Sequence, residues 1–566
     1  MKDAYGKQVD ETLRSSLDRR MSSMDVELNS FLPHYRELTD FLAPRTARYL
    51  TIDANKGQKA NHKIINATAT KSVRTLKSGM HAGMTSPARP WFRLMTENSD
   101  LRDSGNIKQW LYVVEEKMRV ALAKSNFYNT MPMKYGALGT YGTACSMIVE
   151  DEETLFRCYT FPTGSYRLAL NDTLRVDTLY RKLPMTVRQI VMTFGYDNCS
   201  KVVRDAYDKG NYTNIHEIGH AIEPNDKHDP SSMWSKDKKF RSCYWETGAK
   251  DKDILQQKGF DLYPAPSPRW DIFAPDDIYG YSPGMDALGA VKGLQLYERR
   301  KAQAVGKMVN PPMLADSALR TTGSSIIEGG ITYIDNLAAQ QNAGLRPAYQ
   351  FSPQIGELRV DIDAICQEIR GLFYEDLMLM FSTSDNPQQT AREVEERHGE
   401  KLLVLGPVLE RLGNELYDPA IKLVFDIMMK KGEFPPPPEE LQGQALKVEY
   451  TSVMAQAQKL IGTASVERVT SFVGDLIQIG FVEAGDILNA DEAVREYAAM
   501  YGTPPTMINS PDVVKEKRAL KQKAAQAQQM SEMLPSLSQG AMAAKTLSEI
   551  DPGAIPNLQR MGIGGR

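Results

Sequence analysis

The chain has 566 residues, which at ~150 residues per domain suggests three or four domains. Sixty-eight Lys and Arg against 71 Asp and Glu leave it at −3, which excludes nucleic-acid affinity built on bulk positive charge. Hydrophobic residues at 42% and charged residues at 25% exclude wholesale disorder, and no apolar run approaches the ~18 residues of a membrane span.

The stretch MKDAYGKQVDETLRSS has no apolar core, so no secretory leader is expected. The five cysteines (Cys145, Cys158, Cys199, Cys243 and Cys366) are odd in number and lack a C-x-x-C pair. They fit reduced thiols, not a disulfide framework or a zinc ribbon. The 27 Met and 25 Tyr suit large, adaptable interfaces.

In chain order, Leu13, Leu17, Met24, Leu28, Phe31, Tyr35, Leu38 and Leu42 recur at threes and fours and predict a helix. Pro33 should kink or break it, and Pro44 stops it. Further helices are expected at about 66–84 and 107–125. From Thr140 to Ile278, short β-rich runs alternate with Gly, Pro, Asn and Asp clusters, interrupted by one helix at about 186–194. The proline-rich run 263–277 reads as a boundary. Helices follow at about 285–308 and 353–380, separated by a Gly/Ser/Thr-rich insert with strand-like runs. A polar, breaker-rich stretch (381–389) leads to a long helical run from Ala391 to Lys431, stopped by Pro435–Pro438. More amphipathic helices occupy 452–501, and the end of the chain is a Lys/Gln/Ala-rich helix followed by low-complexity sequence. The fold class expected is α+β, mostly helical.

The most catalytic-looking string is His216-Glu217-Ile218-Gly219-His220. On a helix it would set two zinc ligands on one face with a general base between them. Its internal Gly, its flanking isoleucines and Pro224 instead favour a strand, where histidines four apart lie ~13 Å from each other. A zinc metallopeptidase is therefore the weaker alternative. Gly136-x-x-Gly139-x-x-Gly142 lacks both the spacing and the Lys-Ser/Thr of a phosphate loop and reads as tight packing between helix and strand. Carboxylate pairs such as Asp361 and Asp363 read as solvated faces. No catalytic, metal or cofactor-binding residue is assigned, and no cofactor is expected.

Leu402, Leu405, Leu409, Leu412 and Leu416 keep a 3,4 rhythm, a seam for packing beside another helix. Gly399, Gly406 and Gly413 recur every seven residues on another stripe, which suits close helix packing or a bend. Charge segregates too. In 285–308, Lys292, Arg299, Arg300, Lys301 and Lys307 face only Asp286 and Glu298, for a net +3. In 353–380, Arg359 and Arg370 face six acids, including Glu357, Asp361 and Glu368, for a net −4. Such helices pair within a subunit, pair with a neighbour, line a channel or are simply solvated.

Several strings together resemble the head-to-tail connector, or portal, proteins of short-tailed bacteriophages. They are NATATKSVRTLKSGMHAGMTSPARPWFRL (66–94), TAREVEERHGEKLLVLGPVLERLGNELYDPAIKLVFDIM (390–428) and the later FPPPPEEL with its helical continuation. The likeness spans most of residues 10–530. It implies a dodecameric ring at one capsid vertex with double-stranded DNA passing along its axis. It also implies a wing at 1–280, a first stem helix at 281–309, a clip at 310–352, a second stem helix at 353–380, a tunnel loop at 381–389, a long wing helix at 390–440 and a crown at 441–530. Residues 531–566 form a tail that matches nothing. The tunnel loop comprises Ser382, Thr383, Ser384, Asp385, Asn386, Pro387, Gln388 and Gln389. The implied partners are further copies of the chain, the terminase or packaging ATPase and then tail adaptors at the clip, and major capsid and scaffolding proteins at the wing. The implied setting is the virion, after synthesis in the host cytoplasm and with no membrane. Another ring-forming virion adaptor is the nearer alternative.

Overall fold

Helix α1 (Leu13–Phe41) follows directly from its apolar spacing. Thr12 caps it, its Oγ1 accepting a hydrogen bond from the Ser15 amide at 3.3 Å, and Leu17, Met21, Leu28, Tyr35 and Leu38 form its buried face. Pro33 lies inside the helix without breaking it, because Leu28 before it and Tyr35 and Leu38 after it are anchored in the core. This computed structural model describes residues 12–49, 61–96, 104–248, 254–309, 313–314, 346–347, 354–380, 404–441, 446–451, 464–479, 481, 487–494, 509 and 513–526.

Next come α2 (Thr68–Met84), β1 (Phe92–Thr96), α3 (Gly105–Lys124) and α4 (Phe127–Tyr141). Helix α4 is not expected from the sequence. Phe127, Met131, Tyr135 and Leu138 are buried on one face together with Thr130 and Lys134, while Met133 is exposed on the other, so polarity does not follow burial and the stripe is blurred. Gly139 and Gly142 of the Gly136-x-x-Gly139-x-x-Gly142 spacing are close-packing positions, but against helix α2 and the Gly280 backbone, not between helix and strand as expected. A Cβ at Gly139 would lie 2.3 Å from Leu76 Cδ2 on α2. Gly142, at φ +78°, ends α4 in the left-handed region.

Strands β2 (Cys145–Asp151) and β3 (Leu155–Phe161) form a hairpin. Strands β4 (Tyr166–Leu170), β5 (Val176–Thr186), β6 (Ile215–Pro224), β7 (Phe240–Glu246) and β8 (Gln256–Phe260) make a five-stranded antiparallel sheet in chain order. Two helices sit between β5 and β6 where one was expected: α5 (Val187–Phe194), opened by a Thr186/Gln189 capping box, and α6 (Lys201–Asp208). Their apolar side chains cover one face of the sheet around Ile218. Leu17 and Met21 of α1 cover another cluster with Tyr180, Ala221 and Trp245.

The chain then enters α7 (Pro283–Val309), and two-residue strands β9 (Met313–Leu314) and β10 (Arg346–Pro347) pair antiparallel at the ends of the insert. The second long helix is not continuous as expected. It divides into α8 (Ile355–Leu372) and α9 (Glu375–Met380), broken where Tyr374 takes φ +54°. Beyond residue 403 the helix consists of α10 (Gly406–Leu412), a π-helical turn over Gly413–Tyr417 and α11 (Asp418–Lys430). The π turn widens the helix just ahead of Pro419, whose ring would clash with the carbonyl of Glu415 in a regular α-helix. Strand β11 (Leu446–Tyr450) returns to pair with β1, Phe92 opposite Tyr450, and α12 spans Ala464–Ile479. One core cluster joins α1–α4, the β2–β3 hairpin and α7–α11.

Between α3 and β1, the buried Glu115 accepts a hydrogen bond from the Leu94 amide at 2.7 Å. Burial pushes its carboxyl up to about 7. The folded state therefore holds this proton more tightly than the unfolded chain, so the stabilisation is full below about pH 4.5 and is lost as pH rises through about 7. We expect denaturant-measured stability to fall by roughly 3 kcal/mol across that window, and Glu115→Gln to flatten most of the slope. An unchanged slope in the variant would contradict this assignment.

Candidate functional site

Helices α7 and α8 lie side by side. Ala287, Leu288, Val291 and Leu294 on α7 and Ile362, Cys366 and Ile369 on α8 are buried in the shared core. The start of α2 clamps both. Gln295 Oε1 accepts from the amides of Ile65 at 2.7 Å and Asn66 at 2.9 Å, and Gln295 Nε2 donates back to the Asn66 carbonyl at 2.9 Å. Asn66 Nδ2 donates to Glu298 Oε1 at 2.9 Å, and Thr68 Oγ1 lies 3.5 Å from Cys366 Sγ. Ser72 Oγ donates to Glu375 Oε2 at 2.7 Å, fixing α9 as well. At Gly79 a Cβ would lie 2.5 Å from Met378 Cβ, so that glycine lets α9 approach α2 closely. The sequence does not single out Gln295, Asn66, Thr68 or Ser72, and Glu298 and Cys366 stand out there only as a charge and a thiol. The Asn-Ala-Thr string that opens α2 is their one local sign, since Asn66 Oδ1 accepts from the Thr68 amide at 3.0 Å.

The charges lie on the outside of this pair. Lys292 pairs with Glu37 of α1 at 2.8 Å and Lys301 with Glu298 of its own helix at 2.9 Å. Arg299, Arg300 and Lys307 are exposed on α7, and Glu357, Asp361 and Glu368 on α8. Helical spacing aligns Lys292, Arg299 and Lys307 in one stripe and Glu357, Asp361 and Glu368 in another. Among the described residues no ion pair joins α7 to α8, so the opposite charges do not neutralise each other within the subunit. Apolar side chains stand beside them: Val309 is 72% and Val360 67% exposed.

The upstream end of α7 is held by the end of α4. Ser282 Oγ donates to the Thr140 carbonyl at 2.8 Å, the Gly280 amide to Thr143 Oγ1 at 2.7 Å and the Trp270 amide to the Gly142 carbonyl at 2.7 Å. A Cβ at Gly142 would lie 2.1 Å from the Gly280 carbonyl oxygen. Arg269 adds a bidentate pair to Glu415 in the π turn, its closest contact at 2.6 Å.

Leu405, Leu409, Leu412 and Leu416 are buried along α10 and the π turn. Gly406 opens α10, and Gly413 starts the π turn, where a Cβ would lie 3.4 Å from Tyr450 Cε2. The Tyr450 hydroxyl donates to Asp418. Gly399, Leu402 and the loop residues Ser382, Thr383, Ser384, Asp385, Asn386, Pro387, Gln388 and Gln389 lie outside the described residues, as does most of 310–352.

The His216-Glu217-x-x-His220 string lies on β6, as its composition indicated. His220 is buried, Nδ1 accepts from Arg181 Nε at 2.9 Å and Nε2 donates to Ser242 Oγ at 3.0 Å. Burial, and then the Arg181 charge, hold the imidazole well below its ordinary range. Strand geometry and these occupied nitrogens do not fit the peptidase alternative, and among the described residues no group of three His, Cys, Asp or Glu could hold a metal ion.

A family profile described as "Bacteriophage head to tail connecting protein" matches residues 14–508. The chain is 41% identical over 549 residues to the portal protein of Salmonella phage epsilon15, covering 96% of this chain and 98% of that one. It is 40% identical over 548 residues to the probable portal protein of Bordetella phage BPP-1, covering 96% and 97%. Among solved structures, a chain from the neck of an empty gene transfer agent particle is 12% identical, with a TM-score of 0.37 and coverage of 78% of this chain and 91% of that one. The family match along almost the whole chain and the two long alignments agree, and the chain belongs to the bacteriophage head to tail connecting protein family.

Proposed function

We propose that this connector is a portal subunit. Twelve copies close into a ring at one capsid vertex, double-stranded DNA passes along the axis during packaging and ejection, and one end receives the packaging ATPase and later the tail adaptors. The observation that carries the reading is the alignment to two phage portal relatives over 96% of the chain. The geometry is compatible with it. Twelve helices at ~10 Å spacing give a circumference of ~120 Å and leave a bore of ~28 Å, wider than a duplex of roughly 20 Å. Near neutrality suits sliding, since many phosphate contacts would make the channel sticky and salt-dependent.

In this reading residues 1–280 and 390–440 build the wing against capsid and scaffolding proteins, and 281–309 and 353–380 form the stem. Residues 310–352 form the clip that meets motor and tail, and 441–530 form the crown. The subunit is made in the host cytoplasm and works in the virion. No described helix is long and apolar enough to cross a membrane. End-on particle images of the purified chain test the ring directly: a closed ring with a central hole is expected, and only scattered monomers would overturn it.

The chain has no phosphate loop, so translocation energy must come from a separate ATPase. The purified ring, free of motor subunits, is expected to show no ATP turnover, and measurable turnover would contradict its non-enzymatic role. The segment 382–389 is proposed as the channel constriction. Its side chains are small or uncharged except Asp385, which in twelve copies would centre DNA by repelling phosphates. Deleting 383–388 should leave rings and packaging intact but release DNA from filled heads. Normal retention would reduce the segment to a connector.

A further inference from the structure

Between the segment after α1 and the five-stranded sheet lies a recess of about 140 Å³ that the connector reading does not use. Four of its lining side chains are cationic, Arg48, Arg167, Arg181 and Lys182, and none is acidic. Two of these have carboxylate partners. Arg167 Nε donates to Asp25 Oδ1 at 2.6 Å, and Lys182 Nζ lies 3.6 Å from Glu217. The other two have none among the described residues. Arg48 is exposed, and its amide is tied to the Thr163 carbonyl at 3.0 Å. Gly164 takes φ +89° there, and a Cβ would lie 2.6 Å from the Arg48 carbonyl oxygen, so this glycine lets the Arg48 backbone close onto the rim.

Arg181 is the more telling residue. Its guanidinium carbon sits 4.2 Å from the centroid of the Phe161 ring, its Nε donates to His220 Nδ1 at 2.9 Å, and its side chain is hydrogen-bonded to Tyr244. These neighbours carry no negative charge. His220 accepts at Nδ1 and donates from Nε2 to Ser242, which makes it the neutral tautomer. A guanidinium largely removed from water, flanked by rings and a neutral nitrogen, has uncompensated charge.

We propose that this recess binds a single phosphate group. Arg48 and Arg181 supply two cations not neutralised by carboxylates, which match a phosphate charge of about two and offer forked donors to its oxygens. The recess has room for one tetrahedral oxyanion with a few waters. The same chemistry is available from free inorganic phosphate or from the backbone of a nucleic-acid strand reaching the recess.

Calorimetric titration of the full chain tests this, with sodium phosphate, sodium acetate and a short DNA duplex as separate ligands. Saturable binding of one phosphate per subunit is expected, with acetate failing to substitute. Arg48→Gln, an exposed change that should leave melting unaltered, is expected to weaken phosphate about tenfold, and Arg181→Gln at least as much. If the duplex competes with phosphate and shows the same dependence on Arg48 and Arg181, the group belongs to a nucleic-acid backbone. If it does not compete, free phosphate is the ligand. The proposal is overturned by the absence of saturable phosphate binding, by equal binding of acetate, or by a phosphate affinity that Arg48→Gln leaves unchanged.

Discussion

Arg299→Glu with Arg300→Glu is expected to stop ring closure while leaving each subunit folded. Both side chains are exposed on α7, and no described ion pair ties either of them to its own subunit, so their reversal removes little from the isolated fold. In the proposed ring, Arg299 of the cationic stripe and Arg300 beside it are expected to meet the acidic stripe of Glu357, Asp361 and Glu368 on the next stem. Reversal then replaces attraction with like-charge contact at every interface. Exposed pairs contribute only ~0.2–1 kcal/mol each, but losing two and opposing two more should cost about 2 kcal/mol or more per interface, repeated around the ring. Assembly should also weaken as salt rises in the unmodified protein. Adding Glu357→Arg and Asp361→Arg should restore closure. Rings that form equally well in the double variant, measured by sedimentation, would show that these charges face solvent or the channel and not a neighbour.

Gly142→Ala should be the most damaging conservative change in the clasp that holds α7. Two costs combine. Its φ of +78° strains an L-residue by ~1–2 kcal/mol, and the new Cβ would lie 2.1 Å from the Gly280 carbonyl oxygen, a backbone atom with no rotamer to yield. Backbone must move, and with it the hydrogen bonds from Trp270 and Ser282 that fix the approach to α7. We expect a loss of about 3 kcal/mol or more in denaturant unfolding of the subunit. Assembly should fail alongside, because the stem would be mis-set. Gly136→Ala serves as the control: its Cβ would meet only Lys77 Cδ, at 3.7 Å, and stability should be unchanged or raised by up to ~1 kcal/mol from the better helix propensity of Ala. Equal, small effects at both positions would contradict the clasp.

Where apolar periodicity was strong, the sequence was enough. Helix α1 and the first long charged helix follow from the sequence, and the β6 reading of the His-Glu string follows from β-branched residues around a glycine. Helix α4 was hidden because its buried face carries the polar Thr130 and Lys134 while its outer side carries Met133, which blurs the apolar stripe that reveals an amphipathic helix. The break at Phe373–Tyr374 has no Pro to announce it, and Gly371 in the last turn before it is only a weak local signal. Buried Phe373 and the fit of Met378 onto Gly79 impose it, so tertiary packing overrides local propensity. The Asn66–Gln295 clamp joins residues 229 apart, a relation that only the folded chain creates. The charge stripes were legible, but their failure to pair across α7 and α8 was not, since helix phase depends on which faces the core takes. The Arg181 recess escaped notice because its cations come from separate strands and a loop.

The central claim is that this chain works as a closed ring of copies, and native mass spectrometry of the purified full chain tests it most directly. Twelve copies of a 63.3 kDa chain predict a single dominant species near 760 kDa. A protein that stays at the mass of one chain, under conditions where it is folded and at the ionic strength that favours stem pairing, would contradict the account.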